Sequence, residues 1–354
     1  MENTIIHDDC LEAMRAMKSD SVDSIVTDPP YGLSKPPDID EVLTKWLAGE
    51  DYEHRGNGFM GKTWDSFVPG PSIWREAYRV LKPGGYALVF AGTRTQDLMT
   101  ISLRMAGFEV RDVIEWLYWS GFPKNMDVSK SFEGQWEGWG TALKPAHEPI
   151  ILVRKPFNGT VASNLKKYNT GALNIDGCRI GRLAEDRTEY GVNGDEGTPT
   201  VNAYGAYNRT AYEPHAAGRF PANIVTVEHD GFWSMYCNVT PEVLCKKANK
   251  KDRNSTWDGR EIEGVMQTTD DGRKKSIDNP FQRGETLRKN HHPTVKPTDL
   301  MAWLIRLITP PGGTALDPFA GSGSTLVAAK REGFNYIGIE REREYVDIAL
   351  KRVD

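Results

Sequence analysis

Cysteine is sparse in this sequence. The 354 residues include four, Cys10, Cys178, Cys237 and Cys245, and no two are spaced as a C-x-x-C pair. That excludes a disulfide-stapled scaffold and predicts a reduced, cytoplasmic protein. Cys237 and Cys245 can be grouped with His291 and His292, but the spacing matches no standard zinc motif, so no metal is expected. A membrane-length apolar run is missing, as is a secretory signal, so no membrane partner is expected. An overall excess of positive charge is missing too. The net charge is −5, which excludes a simple basic nucleic-acid binder.

The charge that is present is uneven. From Lys246 to Lys296, thirteen Lys and Arg face eight Asp and Glu, which leaves the remainder of the chain near −10. An acidic body with one basic segment suits a protein that grips a polyanion with one part only. On charge alone the segment reads equally as a solvated loop. Ten Trp and thirteen Tyr belong mostly to a core, with some available as flat faces for stacking on bases.

Short apolar runs alternate with amphipathic stretches at both ends of the chain. Strands are expected at residues 4–7, 24–27, 86–91, 110–119 and 150–153, and helices at 10–17, 71–81 and 96–106. Lys82-Pro83-Gly84-Gly85 reads as a helix stop. The pattern resumes near the end, with helices at 298–308, 324–332 and 342–352 and strands at 314–317 and 336–340. Such alternation predicts an α/β fold, a doubly wound Rossmann-like sheet. Residues 155–290 differ: they are rich in Gly, Asn, Asp, Thr and charge, and too long for one loop of a compact domain. They read as an insertion between two halves, 1–154 and 291–354, of one domain. A smaller irregular insertion spans residues 34–68 and is expected to order when substrate binds.

Two turns carry the chemistry. Asp317-Pro318-Phe319-Ala320-Gly321-Ser322-Gly323-Ser324 joins a strand to a helix, and its glycines let a ligand approach the backbone closely. Open parallel sheets bind ligands at the carboxyl ends of their strands. Glu340 ends the next strand, where a carboxylate can accept both ribose hydroxyls. Leu326 stands where a dinucleotide fingerprint needs its third glycine, and the turn lacks the Gly-Lys-Ser/Thr of a phosphate loop, so NAD and ATP are disfavoured there. The other turn is Asp28-Pro29-Pro30-Tyr31, whose prolines cannot continue a ladder and force an extended exit. Alone, it reads as readily as an ordinary strand end. Chemically, an aromatic amine is a poor nucleophile because its lone pair is delocalised. The Asp28 carboxylate and the Pro29 carbonyl can accept its two N–H bonds and free that lone pair, while Tyr31 offers a face to a flipped base.

Together these motifs resemble the amino-methylating DNA methyltransferases of the beta order, in which Asp-Pro-Pro-Tyr precedes a target-recognition region and Phe-x-Gly-x-Gly follows it. The resemblance covers both flanks. It implies a circularly permuted, seven-stranded methyltransferase sheet of strand order 3-2-1-4-5-7-6 with the seventh strand antiparallel, and S-adenosylmethionine as cofactor. It implies site-specific methylation of double-stranded DNA by base flipping and direct transfer. Thr294 and Lys296 in His292-Pro293-Thr294-Val295-Lys296-Pro297 resemble the segment that holds the methionine moiety, with Lys296 facing its carboxylate. Asp9 and Cys10 resemble the turn against the cofactor adenine. Tyr118 and Trp119 fall where the target-base pocket is walled, and read also as core. Leu143–Pro149 resembles a segment of phage-associated members.

Asp28 favours adenine N6 as target, since Ser is more usual there in cytosine-N4 enzymes of this order; cytosine N4 is the alternative. Cytosine C5 methylation is excluded because no Pro-Cys dipeptide supplies its thiolate. A non-catalytic DNA-binding protein on a methyltransferase-like body is the reading from a different class, and the intact motifs argue against it. DNA contact is expected of the basic run Arg273, Lys274 and Lys275. A homodimer and a partner restriction endonuclease are left open.

Overall fold

The computed structural model describes residues 2–33, 36–54, 65–118, 121, 123, 125–132, 136–180, 199–202, 205–208, 215–226, 238–239, 247–262 and 289–354. The elements run β1 (Thr4–His7), α1 (Cys10–Ala16), β2 (Val22–Thr27), α2 (Ile39–Leu47), α3 (Pro71–Val80), β3 (Leu81–Phe90), α4 (Gln96–Met105), β4 (Glu109–Leu117) and β5 (His147–Arg154). There follow α5 (Val161–Tyr168), β6 (Pro199–Asn202), β7 (Gly205–Asn208), β8 (Ile224–Thr226), β9 (Asn238–Val239) and α6 (Lys250–Asn254). The chain closes with α7 (Thr298–Ile308), β10 (Thr314–Asp317), α8 (Ser324–Arg331), β11 (Asn335–Glu340) and α9 (Arg343–Val353).

One sheet of nine strands has the order β1-β11-β10-β2-β3-β5-β4-β8-β9. Its first seven strands follow the order implied by the family resemblance. The strands from β1 to β3 are parallel, and β5 runs antiparallel to both β3 and β4. Two strands from the 155–290 stretch, β8 and β9, extend the edge beyond β4 in parallel register.

Both faces of the sheet are covered, as parallel strands require. Side chains alternate along β3: Tyr86, Leu88 and Phe90 join a cluster with α7 and α8, while Ala87 and Val89 join one with α1, α3 and α4. Among the nine strands β2 is buried throughout, which fits its place near the middle. Asp23 on that strand is tolerated because its carboxylate pairs with Lys82 at 2.5 Å and accepts from the Thr314 N–H at 2.8 Å.

Three local expectations change. The helix before residues 82–85 stops at Val80, but β3 begins earlier than residue 86, at Leu81, which pairs with Val22; a register shift between Val22 and Ser24 absorbs the extra residues. Within residues 34–68 lies a helix, α2, capped by the Asp38 side chain and anchored by buried Val42 and Trp46. Within residues 155–290 lies α5, opened by a Thr160/Ser163 capping box. No helix among the described residues is long and apolar enough to cross a membrane.

Candidate active site

The order of the sheet makes neighbours of two motifs far apart in the chain. β10 and β2 are adjacent, and Thr27 Oγ1 donates to Asp317 Oδ1 at 2.7 Å across 290 residues of sequence. Asp28 and the turn after Asp317 therefore leave the carboxyl ends of neighbouring strands, at the point where the winding of the sheet reverses. A cavity of ≈ 1310 Å³ opens there, lined by Asp9, Cys10, Asp28–Tyr31, Tyr118, Glu148, Lys247, His292–Lys296, Pro318–Ser322, Ser324 and Glu340. It exceeds the volume usual for one small ligand, roughly 300–1,000 Å³, and so has room for two.

On one side the cavity is a backbone cradle. Gly321 has φ +51°, and a Cβ there would stand 2.8 Å from His292 Nε2. Its N–H donates to Glu340 Oε2 at 2.8 Å, while Glu340 Oε1 accepts from the Glu342 N–H at 2.7 Å. Burial raises the Glu340 carboxyl above its ordinary pKa. Asp317, buried at the cavity wall, braces the turn: its carboxylate accepts from Thr27, from the Phe319 N–H at 3.0 Å and from Thr325 at 2.5 Å. Burial nonetheless pushes its pKa up to about 6. Gly323 has φ +82°, and a Cβ there would press on Ala349 of α9 at 3.0 Å. Ser324 accepts from buried Arg352 at 3.3 Å. Asp9 caps α1 by accepting the Leu11 N–H at 2.9 Å, which sets Cys10 at the cavity edge. Burial holds the Cys10 thiol up at about 12, so it is not a nucleophile.

On the other side stands a charged cluster. Lys296 Nζ lies 2.6 Å from Asp28 Oδ2, 3.3 Å from Glu148 Oε2 and 3.1 Å from the Tyr31 hydroxyl. An ammonium has three N–H groups, so these partners account for all of them. The structure thus sets Lys296 against the Asp28–Tyr31 turn, with its three N–H groups directed there and not toward the cradle. Tyr31 donates in turn to Glu148 Oε2 at 3.1 Å, and the Lys296 ammonium sits 5.3 Å from the Tyr31 ring centre and 4.9 Å from that of Phe90. Burial would lower the Lys296 pKa, but Asp28 and Glu148 more than offset it and hold it high. Burial raises Asp28, which Lys296 only partly offsets. Among the described residues Asp28 Oδ1 has no hydrogen-bond partner although it is buried.

The remaining expectations sort by position. Tyr118 is both core and cavity wall, with the Lys247 ammonium 4.1 Å from its ring centre. Thr294 lines the cavity and turns on the His292 ring, its N–H 3.3 Å from Nδ1. Trp119, the run Arg273, Lys274 and Lys275, and Cys237 and Cys245 lie outside the described residues. Glu148, Lys247 and His292, which carry no individual role in the sequence motifs, also line the cavity. For Glu148 a signal existed: a carboxylate opening the apolar run 150–153 is costly unless paired.

Comparison with known proteins gives the family of the chain. A family model described as DNA methylase matches residues 22–351. The chain belongs to the DNA methylase family. Over its full length this DNA methylase is 24% identical to the type II methyltransferase M.HindIII of Haemophilus influenzae, covering 96% of it. It is 22% identical to the DNA adenine methyltransferase YhdJ of Escherichia coli, covering 99% of this chain and 82% of that one. Among solved structures, the cytosine-N4-specific PvuII DNA methyltransferase is similar at 15% identity and a TM-score of 0.49, with 99% of this chain and 86% of that one covered.

Proposed function

We propose that this DNA methylase transfers a methyl group from S-adenosylmethionine to the N6 amine of adenine in double-stranded DNA. The observation that carries the reading is the free, buried Asp28 Oδ1 at a cavity shared with a glycine cradle. The cradle fits the cofactor through Glu340, beside which Gly321 lets the turn pack directly on the His292 ring. Each Glu340 oxygen takes one backbone N–H and keeps a lone pair for a ribose hydroxyl. Asp9, Cys10, Thr294, Pro318, Phe319 and Ser324 would enclose the cofactor, with Asp317 and Gly323 shaping the turn. S-adenosylmethionine, when bound, supplies a methyl group on a positively charged sulfur.

The chain does the rest by position. Asp28 Oδ1 and the Pro29 carbonyl accept the two amine N–H bonds, which localises the nitrogen lone pair. Pro30 holds the direction of the exit, and Tyr31 receives the base face. As the N–CH3 bond forms, the nitrogen becomes cationic and must lose one proton. Asp28, raised by burial, is placed to take it. Residues 155–290 are assigned to target recognition between the halves 1–154 and 291–354. Adenine is favoured because Asp, not Ser, stands at position 28. The test is expression in a methylation-free host followed by sequencing with base-modification detection. N6-methyladenine at one recurring motif is expected. N4-methylcytosine would overturn the choice of base, and an unmodified genome from active, folded protein would overturn the reading.

A further inference from the structure

We propose that Glu148 is a positioning residue for methyl transfer, holding Lys296 and Tyr31 in place so that one oxygen of Asp28 stays free for the amine; the inference rests on the methyltransferase reading above. Glu148 is the second residue of β5, far in sequence from both motif turns, and its side chain is 14% exposed. A carboxylate so placed costs several kcal/mol unless it is paired. It is paired with the groups that surround Asp28.

The geometry gives each contact a consequence. Asp28 offers two oxygens, and Lys296 occupies only Oδ2. With Asp28 as its sole carboxylate partner, the ammonium could slide across both oxygens and block the amine. Glu148 Oε2, 3.3 Å from Nζ, tethers it on the far side. The same oxygen accepts the Tyr31 hydroxyl at 3.1 Å, which fixes the plane of the ring that receives the base. The second carboxylate also prevents Lys296 from simply neutralising Asp28. The titratable and charged groups facing Glu148 are Asp28, Tyr31, Lys296, Lys247 and Tyr118. Lys247 reaches Oε1 at 3.5 Å but is 44% exposed, so solvent screens its charge. Lys296 is the shared counter-ion.

The proposal is tested with E148Q and E148D in the full-length protein, on DNA containing the motif found by genome sequencing. For E148Q, kcat is expected to fall at least about tenfold while KM for DNA, cofactor affinity and melting temperature change little. Glu148 raises the Asp28 pKa by its charge, so the acid limb of the kcat–pH profile is expected to move to lower pH. E148D restores a carboxylate and is expected to return much of kcat and the original limb. Unchanged kcat and profile would overturn the proposal, as would a loss of kcat with an unmoved acid limb, which marks a merely structural role. If E148Q does not fold, E148D alone decides by the split of its kinetic constants: a reduced kcat with unchanged KM for DNA and unchanged cofactor affinity supports positioning, whereas full kcat, or a loss shared by KM and cofactor affinity, overturns it. Absence of methyl transfer by the wild-type protein would instead count against the parent reading.

Discussion

A carboxylate near a cofactor turn can serve by touching the ligand or by holding the turn, and the two roles separate at Asp28 and Asp317. Among the described residues Asp28 keeps one oxygen without a partner, whereas the Asp317 oxygens are engaged by Thr27, Phe319 and Thr325. D28A is therefore expected to lower kcat roughly 10²–10⁴-fold with calorimetric cofactor affinity nearly intact; full activity in that variant would refute the chemistry. Asp317 predicts a stability effect with a definite sign. Its carboxyl is raised from 3.8 to about 6 in the fold, so protonation favours the folded state. Its contribution is complete below about pH 3.8 and is lost as pH rises through about 6. The melting temperature of wild type relative to D317N should fall across that window. A difference independent of pH between those limits would mean that Asp317 is not raised.

At the scale of elements, α5 shows how a helix whose apolar Val161 and Leu165 stay exposed is held. Asn164 on its buried side donates to the Pro83 carbonyl at 2.9 Å and the Thr170 carbonyl at 2.7 Å. Gly84, at φ +80°, leaves the room that this amide fills. N164A strips two buried carbonyls of a donor and should cost about 1–3 kcal/mol, read as a lower denaturant midpoint; a midpoint equal to wild type would show that water replaces the amide. Such contacts explain what the sequence made legible. The flanking strands and helices were visible because each repeats one apolar face, as α3 does with Trp74, Ala77 and Val80. α5 was not, since it is anchored by a side-chain amide, and neither was the start of β3, where Gly84 and Gly85 read as punctuation. The two turns of the site were legible as strings because their residue types are dictated by chemistry. Glu148 and Lys247 were not, because only the fold brings them to the Asp28 turn. Context also decides a motif: residues 56–63 spell G-x-x-x-x-G-K-T, yet residues 51–54 before them form no strand, which a phosphate loop requires.

At the scale of the whole molecule, the end of the chain fastens the Asp317–Ser324 turn to the segment that returns from 155–290. Arg352 on α9 is fully buried and donates to the Ser322 carbonyl at 2.9 Å, the Asp252 carbonyl at 3.2 Å and the Ser255 carbonyl at 3.2 Å. R352A should cost roughly 3 kcal/mol or more and weaken cofactor binding together with stability; lost stability with unchanged cofactor affinity would confine Arg352 to packing. The same segment that Arg352 holds also opens the basic stretch of an otherwise acidic protein. An acidic body repels DNA phosphates, so the charges of that stretch are expected to dominate the salt dependence of binding. Arg273, Lys274 and Lys275 are the densest part of it. Replacing all three with Gln should reduce the slope of log K against log salt by up to about 2.7, at about 0.9 per phosphate contact. Methylation should then persist at low salt and fail earlier as salt rises. A slope equal to wild type would remove the run from the interface and move the search for phosphate contacts to the other basic residues between Lys246 and Lys296.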